Sequence, residues 1–354
     1  MAEVNFGKTV SLAQAKNLIV TNPDTRFMLR GEPGIGKSWM LEEIANSMGY
    51  GYAYIDVPNL DLGDIAMPVI DHDTKTTRYY PNARFGLHTG KPMVIMLDEF
   101  SKGAEPVKHM LHPMLEKANP RLGDLPISKE NIVFLTGNLA TDGVGDSMKA
   151  HTLNRIVPIT VQKPDAEQWL AWAIPNGVEP EVCAWVNQFP HVLASYTDPA
   201  QSENPYIFNP KRAQAAFVSP RSLVTASNIV RSRHQNDNDS VIAALIGSIG
   251  ESGARDMQAY LEFSDQLPTW EQTINNPTTT KIPTDPGACA IVVFGAISRI
   301  EKDTITPFMQ YVERMSAEWQ AVFAINLSKA KAKQQIAFSC KAFADWVAKN
   351  QDLL

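Results

Sequence analysis

Residues 31–38 read GEPGIGKS and have the glycine, lysine and serine spacing of a phosphate-binding loop. Glycines let successive backbone N–H groups point at one anion, and a helix that follows the loop adds its positive N-terminal end. In this pattern Lys37 reaches the β- and γ-phosphates of a nucleoside triphosphate, and the Ser38 hydroxyl ligates Mg²⁺. The loop therefore predicts a site for a nucleoside triphosphate with Mg²⁺.

A second group of chemically capable residues follows the apolar run at 93–97 (MVIML), which ends in two adjacent acids, Asp98 and Glu99. Adjacent side chains of a strand point to opposite faces, so the two carboxylates can take different roles. We expect Asp98 to hold the Mg²⁺ shell and Glu99 to be the general base that polarises the attacking water. The alternative is a solvated strand end before a helix cap. The predicted nucleotide-binding residues are Glu32, Pro33, Gly34, Ile35, Gly36, Lys37, Ser38 and Asp98, with Ser38 and Asp98 as metal ligands.

The elements that must position these groups are strands of a parallel sheet. Five short apolar or β-prone runs predict it, with long intervening segments that suit helical crossovers. These runs cover residues 26–30, 53–57, 93–97, 132–136 and 156–161. Pro158 cannot donate to a neighbouring strand, so we expect the last strand at the edge of the sheet. The helix after the phosphate-binding loop should end at Gly49 in the left-handed conformation.

The β pattern ends after residue 162, and the rest of the chain is predicted to be helical. Residues 268–286 contain prolines among threonine and asparagine, which is typical of a linker or an extended wrapping loop. Residues 288–354 are rich in Ala, Lys and Ile, which predicts two or three helices. The predicted division is a nucleotide-binding core at 1–160, a smaller helical unit at 161–267, the linker at 268–286 and a helical C-terminal extension at 287–354.

The composition excludes several classes of protein. A hydrophobic fraction of 44% and a charged fraction of 20% argue against a disordered or collagen-like chain. The net charge of -6 does not favour binding to nucleic acid or to an anionic membrane. The three cysteines have no CxxC spacing, which predicts neither a zinc site nor a disulfide framework. The cysteine usage fits a reducing cytoplasm, and the apolar run at 288–297 is too short to span a bilayer, so we expect a cytoplasmic protein without a membrane span.

The Glu-Pro within GEPGIGKS and the LDEF ending of the acidic strand resemble AAA+ ATPases, and within them the MoxR-type, helix-2-insert group. The resemblance implies ATP as the nucleotide and the αβα sandwich of P-loop NTPases around the five-stranded sheet. It also implies an all-α lid at 161–267. Asn138 matches the position of sensor 1, Arg155 that of an arginine finger supplied by a neighbouring subunit, and Arg221 that of the sensor 2 arginine of the lid.

Each of these three residues also has a structural interpretation. Asn138 follows Gly137 and suits a turn after a strand. Arg155 before a strand suits a surface ion pair. Pro220, which precedes Arg221, is a residue commonly found at the first position of a helix. With Glu99, the resemblance makes Asn138, Arg155 and Arg221 the predicted catalytic residues.

Two insertions also match the subgroup. Residues 61–81 resemble the helix-2 insert, and residues 118–128 resemble the hairpin that precedes sensor 1. In relatives such elements face the central pore of a ring, so the predicted contacts with a client protein are Arg78, Tyr79, Tyr80 and Arg121. The alternative is a pair of solvated hairpins. Pro113 departs from the pattern, because it interrupts the helix expected after Glu99 and should kink or end it.

The resemblance implies an ATP hydrolase with sites between the subunits of a ring, a hexamer in the family, that remodels or chaperones a partner protein. Relatives often work with a von Willebrand factor A domain protein. Two alternatives remain: an NTPase motor associated with nucleic acid, as in McrB-like proteins, and a nucleotide-gated scaffold that hydrolyses little. The acidic net charge argues against the first, and Glu99 with Arg155 argues against the second. No motif selects adenine over guanine.

Overall fold

The computed structural model describes residues 8–139, 150–212, 214–330 and 332–350. The chain divides into two units, Met1–Lys163 and Pro164–Leu354. The first unit contains every strand of the described chain, and the second unit is built from helices.

A parallel sheet organises the first unit, with the strand order β1-β10-β2-β9-β6-β3. The five predicted strands are confirmed, and a two-residue strand, β1, makes a sixth that the sequence did not predict. The strands are β1 Thr9–Val10, β2 Phe27–Arg30, β3 Gly51–Asp56, β6 Met93–Asp98, β9 Ile132–Gly137 and β10 Val157–Val161. The helices around them are α1 Leu12–Thr21, α2 Trp39–Met48, α4 Glu105–Leu111 and α5 Ala150–Leu153.

Successive side chains along the strands contribute alternately to two hydrophobic cores. In β6, Val94 and Met96 pack with residues of α1 and α2, whereas Ile95 and Leu97 pack with residues of α4. Successive side chains of a strand point to opposite faces, so these clusters lie on the two faces of the sheet. The arrangement is the predicted α/β fold of P-loop NTPases, with the sheet covered by helices on both faces.

Proline positions explain two local features. The strand β10 pairs with β2 from Val157 to Thr160 but with β1 only at Thr160 and Val161, so Pro158 lies where β10 has no outer partner among the residues that the structure describes. The prediction of an edge position was therefore right for Pro158 and wrong for the whole strand. Pro113 behaves as predicted, because α4 ends at Leu111 and a 3₁₀ turn, His112–Leu115, follows.

The two insertions form hairpins. After the short helix α3 Leu62–Ile65, the strands β4 Ala66–Asp71 and β5 Thr76–Pro81 pair antiparallel. The second insertion contributes β7 Arg121–Leu122 and β8 Leu125–Pro126. Tyr79 joins them, since its N–H donates to Asp124 Oδ2 at 2.7 Å and its carbonyl accepts from the Asp124 N–H at 2.9 Å.

The second unit is helical from α6 onward. Its elements are α6 Ala166–Ala173, α7 Pro180–Gln188, α8 Pro220–Arg231, α9 Asn238–Ser264, α10 Trp270–Asn275, α11 Pro286–Arg299, α12 Ile305–Val312, α13 Ala317–Lys329, α14 Gln334–Ser339 and α15 Lys341–Lys349. Gly250 interrupts α9 with φ of 79°, and a side chain there would lie 2.9 Å from the Ala216 carbonyl oxygen.

One hydrophobic core runs through this unit. It combines Trp185 and Leu245 from the predicted lid with Phe294, Phe308 and Phe343 from the predicted extension. The predicted linker contains the helix α10, whose Trp270 and Ile274 pack against the same core. The described part of the C-terminal stretch has five helices where two or three were predicted, because its turns lack strong Gly or Pro signals. No helix among the described residues is both long and apolar enough to cross a membrane.

Candidate nucleotide-binding site

Three neighbouring strands end where the predicted site residues begin. The phosphate-binding loop follows β2, Asn138 follows β9, and Glu99 follows β6. These strands lie side by side in the order β2-β9-β6 and run parallel, so their carboxyl ends meet at one end of the sheet. In open α/β sheets, ligands bind beyond the carboxyl ends of the strands.

The phosphate-binding loop needs its glycines for two physical reasons. Gly34 and Gly36 have positive φ angles of 74° and 105°, a conformation that other residues rarely adopt. A side chain at Gly31 would meet Ile35 Cδ1 at 2.6 Å and the Val161 carbonyl oxygen at 2.8 Å. Ile35 is buried in the core and anchors the loop to the sheet. The loop therefore keeps its curl through backbone freedom at the glycines and one apolar anchor.

A buried cation lies inside the loop. Lys37 is 8% exposed, and its Nζ donates to the carbonyl oxygens of Gly31 and Glu32 at 2.8 and 2.9 Å. Burial lowers the pKa of Lys163, which follows β10, to about 8, and the Glu32 carboxylate of the loop acts in the opposite direction. Ser38 is the residue before α2 and thus stands at the positive end of that helix. The loop concentrates positive charge where a polyphosphate would bind.

Two hydroxyl groups fix the carboxylate of Asp98, the last residue of β6. Tyr54 Oη donates to Asp98 Oδ2 at 2.8 Å, and Thr136 Oγ1 donates to Asp98 Oδ1 in a short hydrogen bond. Tyr54 lies on the neighbouring strand β3 and Thr136 on the other neighbour, β9. The carboxylate is thus held between its two flanking strands.

Glu99 turns away from the strand direction. Its φ of 48° is in the left-handed region, which is uncommon for a residue other than glycine. The Glu99 N–H donates to Thr136 Oγ1 at 3.1 Å, so one threonine hydroxyl orients both acids. The Glu99 carboxylate is 37% exposed and pairs with Lys102 Nζ at 2.8 Å. It is anchored by its backbone and presents its carboxylate to solvent.

The donor set suits Mg²⁺. Ser38 and Asp98 offer a hydroxyl and a carboxylate, the hard oxygen ligands that this ion prefers. Each Asp98 oxygen accepts one hydrogen bond, from Tyr54 or Thr136, and a carboxylate oxygen has a further lone pair for a cation.

Arg155 lies at the opposite end of the sheet. It precedes β10, whose first residue, Val157, pairs with Phe27 at the start of β2. The five residues of β10 span about 16 Å, which separates this end from the phosphate-binding loop. Within the chain, Arg155 binds Glu116 Oε1 through Nε and Nη2, both at 2.9 Å. This is the ion pair that the structural interpretation of Arg155 predicted, and the structure does not bring Arg155 to its own loop.

Of the remaining predicted residues, Asn138 lies at the same end of the sheet as the loop, and the others lie on other surfaces. Asn138 is half-buried directly after β9. Arg221 is exposed in the first turn of α8 in the second unit, where Ser219 and Ser222 form a capping box. Tyr79 and Tyr80 on β5 are 46% and 47% exposed, and Arg78 and Arg121 are also exposed.

Sequence reasoning missed three residues that shape the site. Tyr54, Lys102 and Thr136 contact Asp98 or Glu99, and none belongs to a motif. Thr136 carried a usable signal, because it is the one polar residue in the run IVFLT and is fully buried. A buried polar side chain at the end of a parallel strand needs a hydrogen-bond partner, and the neighbouring acidic strand end supplies it.

Comparisons with known proteins find a similarity within the first unit. Residues 27–141 match the family described as "ATPase family associated with various cellular activities (AAA)". No curated protein shows a match to the sequence. One similar solved structure, described as that of a "putative ATPase" from Cytophaga hutchinsonii, is 14% identical and covers 71% of this chain and 88% of its own, with a TM-score of 0.35. The matched residues include the loop, the two acids and Asn138, and they end before Arg155.

Proposed function

We propose, from the match of residues 27–141 to the AAA family, that the chain is a MoxR-like AAA+ ATPase that hydrolyses Mg-ATP at the subunit interfaces of a hexameric ring. The energy of the cycle remodels a partner protein. The observation that supports this most is the placement of the phosphate-binding loop, Asp98 with Glu99, and Asn138 at the carboxyl ends of three adjacent strands.

The phosphate-binding loop is the proposed element that binds the nucleotide. Its backbone N–H groups and the start of α2 attract the phosphates, and the Lys37 ammonium reaches the β- and γ-phosphates. Ser38 and Asp98 would hold Mg²⁺, which supplies charge neutralisation on the phosphate oxygens. Tyr54 and Thr136 keep the Asp98 carboxylate in one orientation, so little conformational entropy is lost on binding.

Hydrolysis requires a base, an orienting group and a cation. The Glu99 carboxylate accepts a proton from water as the water oxygen attacks the γ-phosphorus, and the bond from that phosphorus to the bridging oxygen breaks. Asn138 is the proposed group that orients this water. Lys102 holds one oxygen of Glu99 and leaves the other for the water.

The cation must come from a second copy. Arg155 lies at the amino end of the sheet and is the proposed arginine finger, which would contact the γ-phosphate bound by a neighbouring subunit. Arg221 is the proposed sensor 2 arginine of the lid. The exposed residues Arg78, Tyr79, Tyr80 and Arg121 are the proposed contacts with the client, and a von Willebrand factor A domain protein is the partner class that the resemblance favours.

The decisive experiment measures particle mass and turnover together. Glu99→Gln should bind ATP with Mg²⁺, form a closed ring and hydrolyse it at least about 100-fold more slowly than the wild type. The matched control is Glu43→Gln, since Glu43 is an exposed acid of α2 that pairs only with Lys16 among the described contacts. A persistent monomer under all conditions would contradict the ring.

The same assay separates the alternatives. Turnover that DNA stimulates in a salt-dependent manner would favour a nucleic-acid motor. Turnover that Glu99→Gln leaves unchanged would contradict the catalytic assignment.

A further inference from the structure

A buried threonine hydroxyl stands between the two acids of the proposed catalytic site. Thr136 is 0% exposed near the end of β9, and its Oγ1 makes two hydrogen bonds. It donates to Asp98 Oδ1 and accepts from the Glu99 N–H at 3.1 Å. A hydroxyl carries one proton to donate and lone pairs that accept, so one atom serves both acids. A side chain of the same shape without the hydroxyl would serve neither.

The backbone of Glu99 adopts a conformation that its surroundings must hold. Its φ of 48° and ψ of 38° are left-handed, which is unfavourable for a residue with a Cβ because that atom approaches the following carbonyl oxygen. Such conformations persist where neighbouring structure fixes them, and they cluster at functional sites. The turn leads from β6 into the 3₁₀ helix Phe100–Lys102. Whatever stabilises this turn also determines where the Glu99 side chain leaves the backbone.

The contacts on the two sides of Glu99 differ in origin. On the C-terminal side they are local, since the Lys102 N–H donates to the Glu99 carbonyl oxygen at 2.9 Å and Phe100 is buried in the core. On the N-terminal side the Glu99 N–H binds Thr136, which is 37 residues away in sequence on the neighbouring strand. Thr136 therefore ties the turn to the sheet.

The hydroxyl of Thr136 is itself held in place. The strand β9 lies between β2 and β6, and Thr136 is paired in register with Leu29 of β2. On the other side, β9 and β6 are paired up to Leu135 and Leu97, the residues that precede Thr136 and Asp98. A β-branched side chain in a strand also has restricted rotation about χ1. The hydroxyl thus has a defined position relative to the end of β6.

We propose that Thr136 is the positioning residue of the general base: its hydroxyl holds Glu99 in the left-handed turn and thereby aims the Glu99 carboxylate at the attacking water. In this role Thr136 acts through Glu99 and needs no contact with the nucleotide. Because the same hydroxyl holds Asp98, one side chain sets the position of the base relative to the metal ligand. The inference rests on the proposed function, in which Glu99 is the base.

The first test removes the hydroxyl at nearly constant shape. In Thr136→Val the Glu99 N–H loses its acceptor, so turnover at saturating ATP and Mg²⁺ should fall about tenfold to 100-fold. Thr136→Ser keeps the hydroxyl and should stay within about threefold of the wild type. The affinity for ADP without Mg²⁺ should change less than about threefold in both variants, because the loop binds the phosphates. Wild-type turnover in Thr136→Val, or equal losses in the two variants, would overturn the proposal.

Thr273→Val is the matched control. Thr273 in α10 of the second unit is 2% exposed, and its Oγ1 donates to the Thr269 carbonyl oxygen at 3.0 Å. The control therefore also loses a buried, hydrogen-bonded hydroxyl, and its turnover should equal that of the wild type. An equal loss of turnover in both valine variants would contradict a specific role of Thr136. Thr136→Ala also lacks the hydroxyl and carries the test if Thr136→Val fails to fold.

The second test places Thr136→Val on the Glu99→Gln background. If Thr136 acts through the base, the residual single-turnover rate at saturating Mg²⁺ should fall less than about threefold further. A further loss of tenfold or more would show that Thr136 acts independently of Glu99 and would overturn the proposal. Wild-type turnover in Glu99→Gln alone would instead contradict the proposed function. Loss of turnover in Glu99→Gln with none in Thr136→Val would remove only the positioning role.

Discussion

The two ends of the first unit's sheet differ in the charges that they carry. At the carboxyl end lie the loop with its buried Lys37, Asp98 and Glu99, and Asn138. At the amino end, Arg26 and Arg155 precede the adjacent strands β2 and β10, and the Val157 N–H donates to the Arg26 carbonyl oxygen at 2.8 Å. The acids and the finger candidate are thus separated by the length of a strand.

The two arginines of the amino end also differ from each other. Arg26 is 5% exposed, its Nε and Nη1 donate to the carbonyl oxygens of Met114 and Pro23, and burial lowers its pKa against the opposing effect of Asp24. Arg155 has a side chain that is 34% exposed and an acid as its partner. Arg26 therefore stabilises the fold, whereas Arg155 can exchange Glu116 for another anion. A head-to-tail contact between two copies would bring the unlike ends together.

The largest expected effect comes from Arg155→Ala. If the amino end of one copy completes the carboxyl end of another, this variant keeps ATP affinity but loses about 10³- to 10⁵-fold in turnover. Steady-state hydrolysis and nucleotide titration measure the two quantities separately. Full activity in Arg155→Ala would show that the two ends do not cooperate.

Two controls separate the finger from the ion pair. Glu116→Gln removes the partner of Arg155 but keeps the arginine, so turnover should stay within about tenfold of the wild type. Mixing Arg155→Ala with Lys37→Ala should restore part of the activity, because some sites then combine an intact loop with an intact finger. No recovery on mixing would contradict a shared site, provided that the two variants co-assemble.

Lys37→Ala tests the carboxyl end alone. Lys37 is a buried ammonium that holds the loop and is the proposed contact of the phosphates, so its removal should weaken the binding of ATP by about two orders of magnitude. Calorimetry measures this loss, and Lys16→Ala is the control, since Lys16 forms an exposed pair with Glu43. Equal ATP affinity in both variants would remove Lys37 from the site.

The carboxyl end was largely predictable because its groups come from short motifs. A loop between a strand and a helix fixes Gly34, Lys37 and Ser38 over a few residues, and strand periodicity places Asp98. Tyr54 and Thr136 were not predicted, because their roles depend on which strands become neighbours. The ion pairs of the second unit were further from prediction, since Glu181, Arg233 and Asp265 meet only when separate elements of the chain pack.

Lys163 gives a pH-dependent test of the carboxyl end. Its folded pKa of about 8 is below the ordinary lysine value of 10.5, so the unfolded chain binds this proton more tightly. The penalty on folding is fully present below pH 8 and is relieved as the pH rises toward 10.5. The wild type should therefore gain about 2 kcal/mol of unfolding free energy relative to Lys163→Met between pH 7 and 9.5.

Denaturant unfolding at several pH values measures this difference, and subtraction of the variant removes the contributions of other groups. The buried Arg26 should add no such pH dependence to the unfolding free energy, because an arginine keeps its proton throughout that range. A flat difference curve would show that Lys163 is solvated in the folded protein.

The smallest predicted effect distinguishes two tyrosines of β3. Tyr54→Phe removes one of the two hydroxyl donors to Asp98, so the carboxylate gains freedom and the Mg²⁺ concentration for half-maximal hydrolysis should rise about three- to tenfold. Tyr52→Phe is the matched control, since Tyr52 is 49% exposed against 50% for Tyr54 and its hydroxyl donates to Glu42. Because both variants lose one exposed hydroxyl from the same strand, only a selective effect of Tyr54→Phe would show that a strand neighbour tunes the acid. Identical Mg²⁺ dependence in the two variants would mean that Thr136 alone holds Asp98.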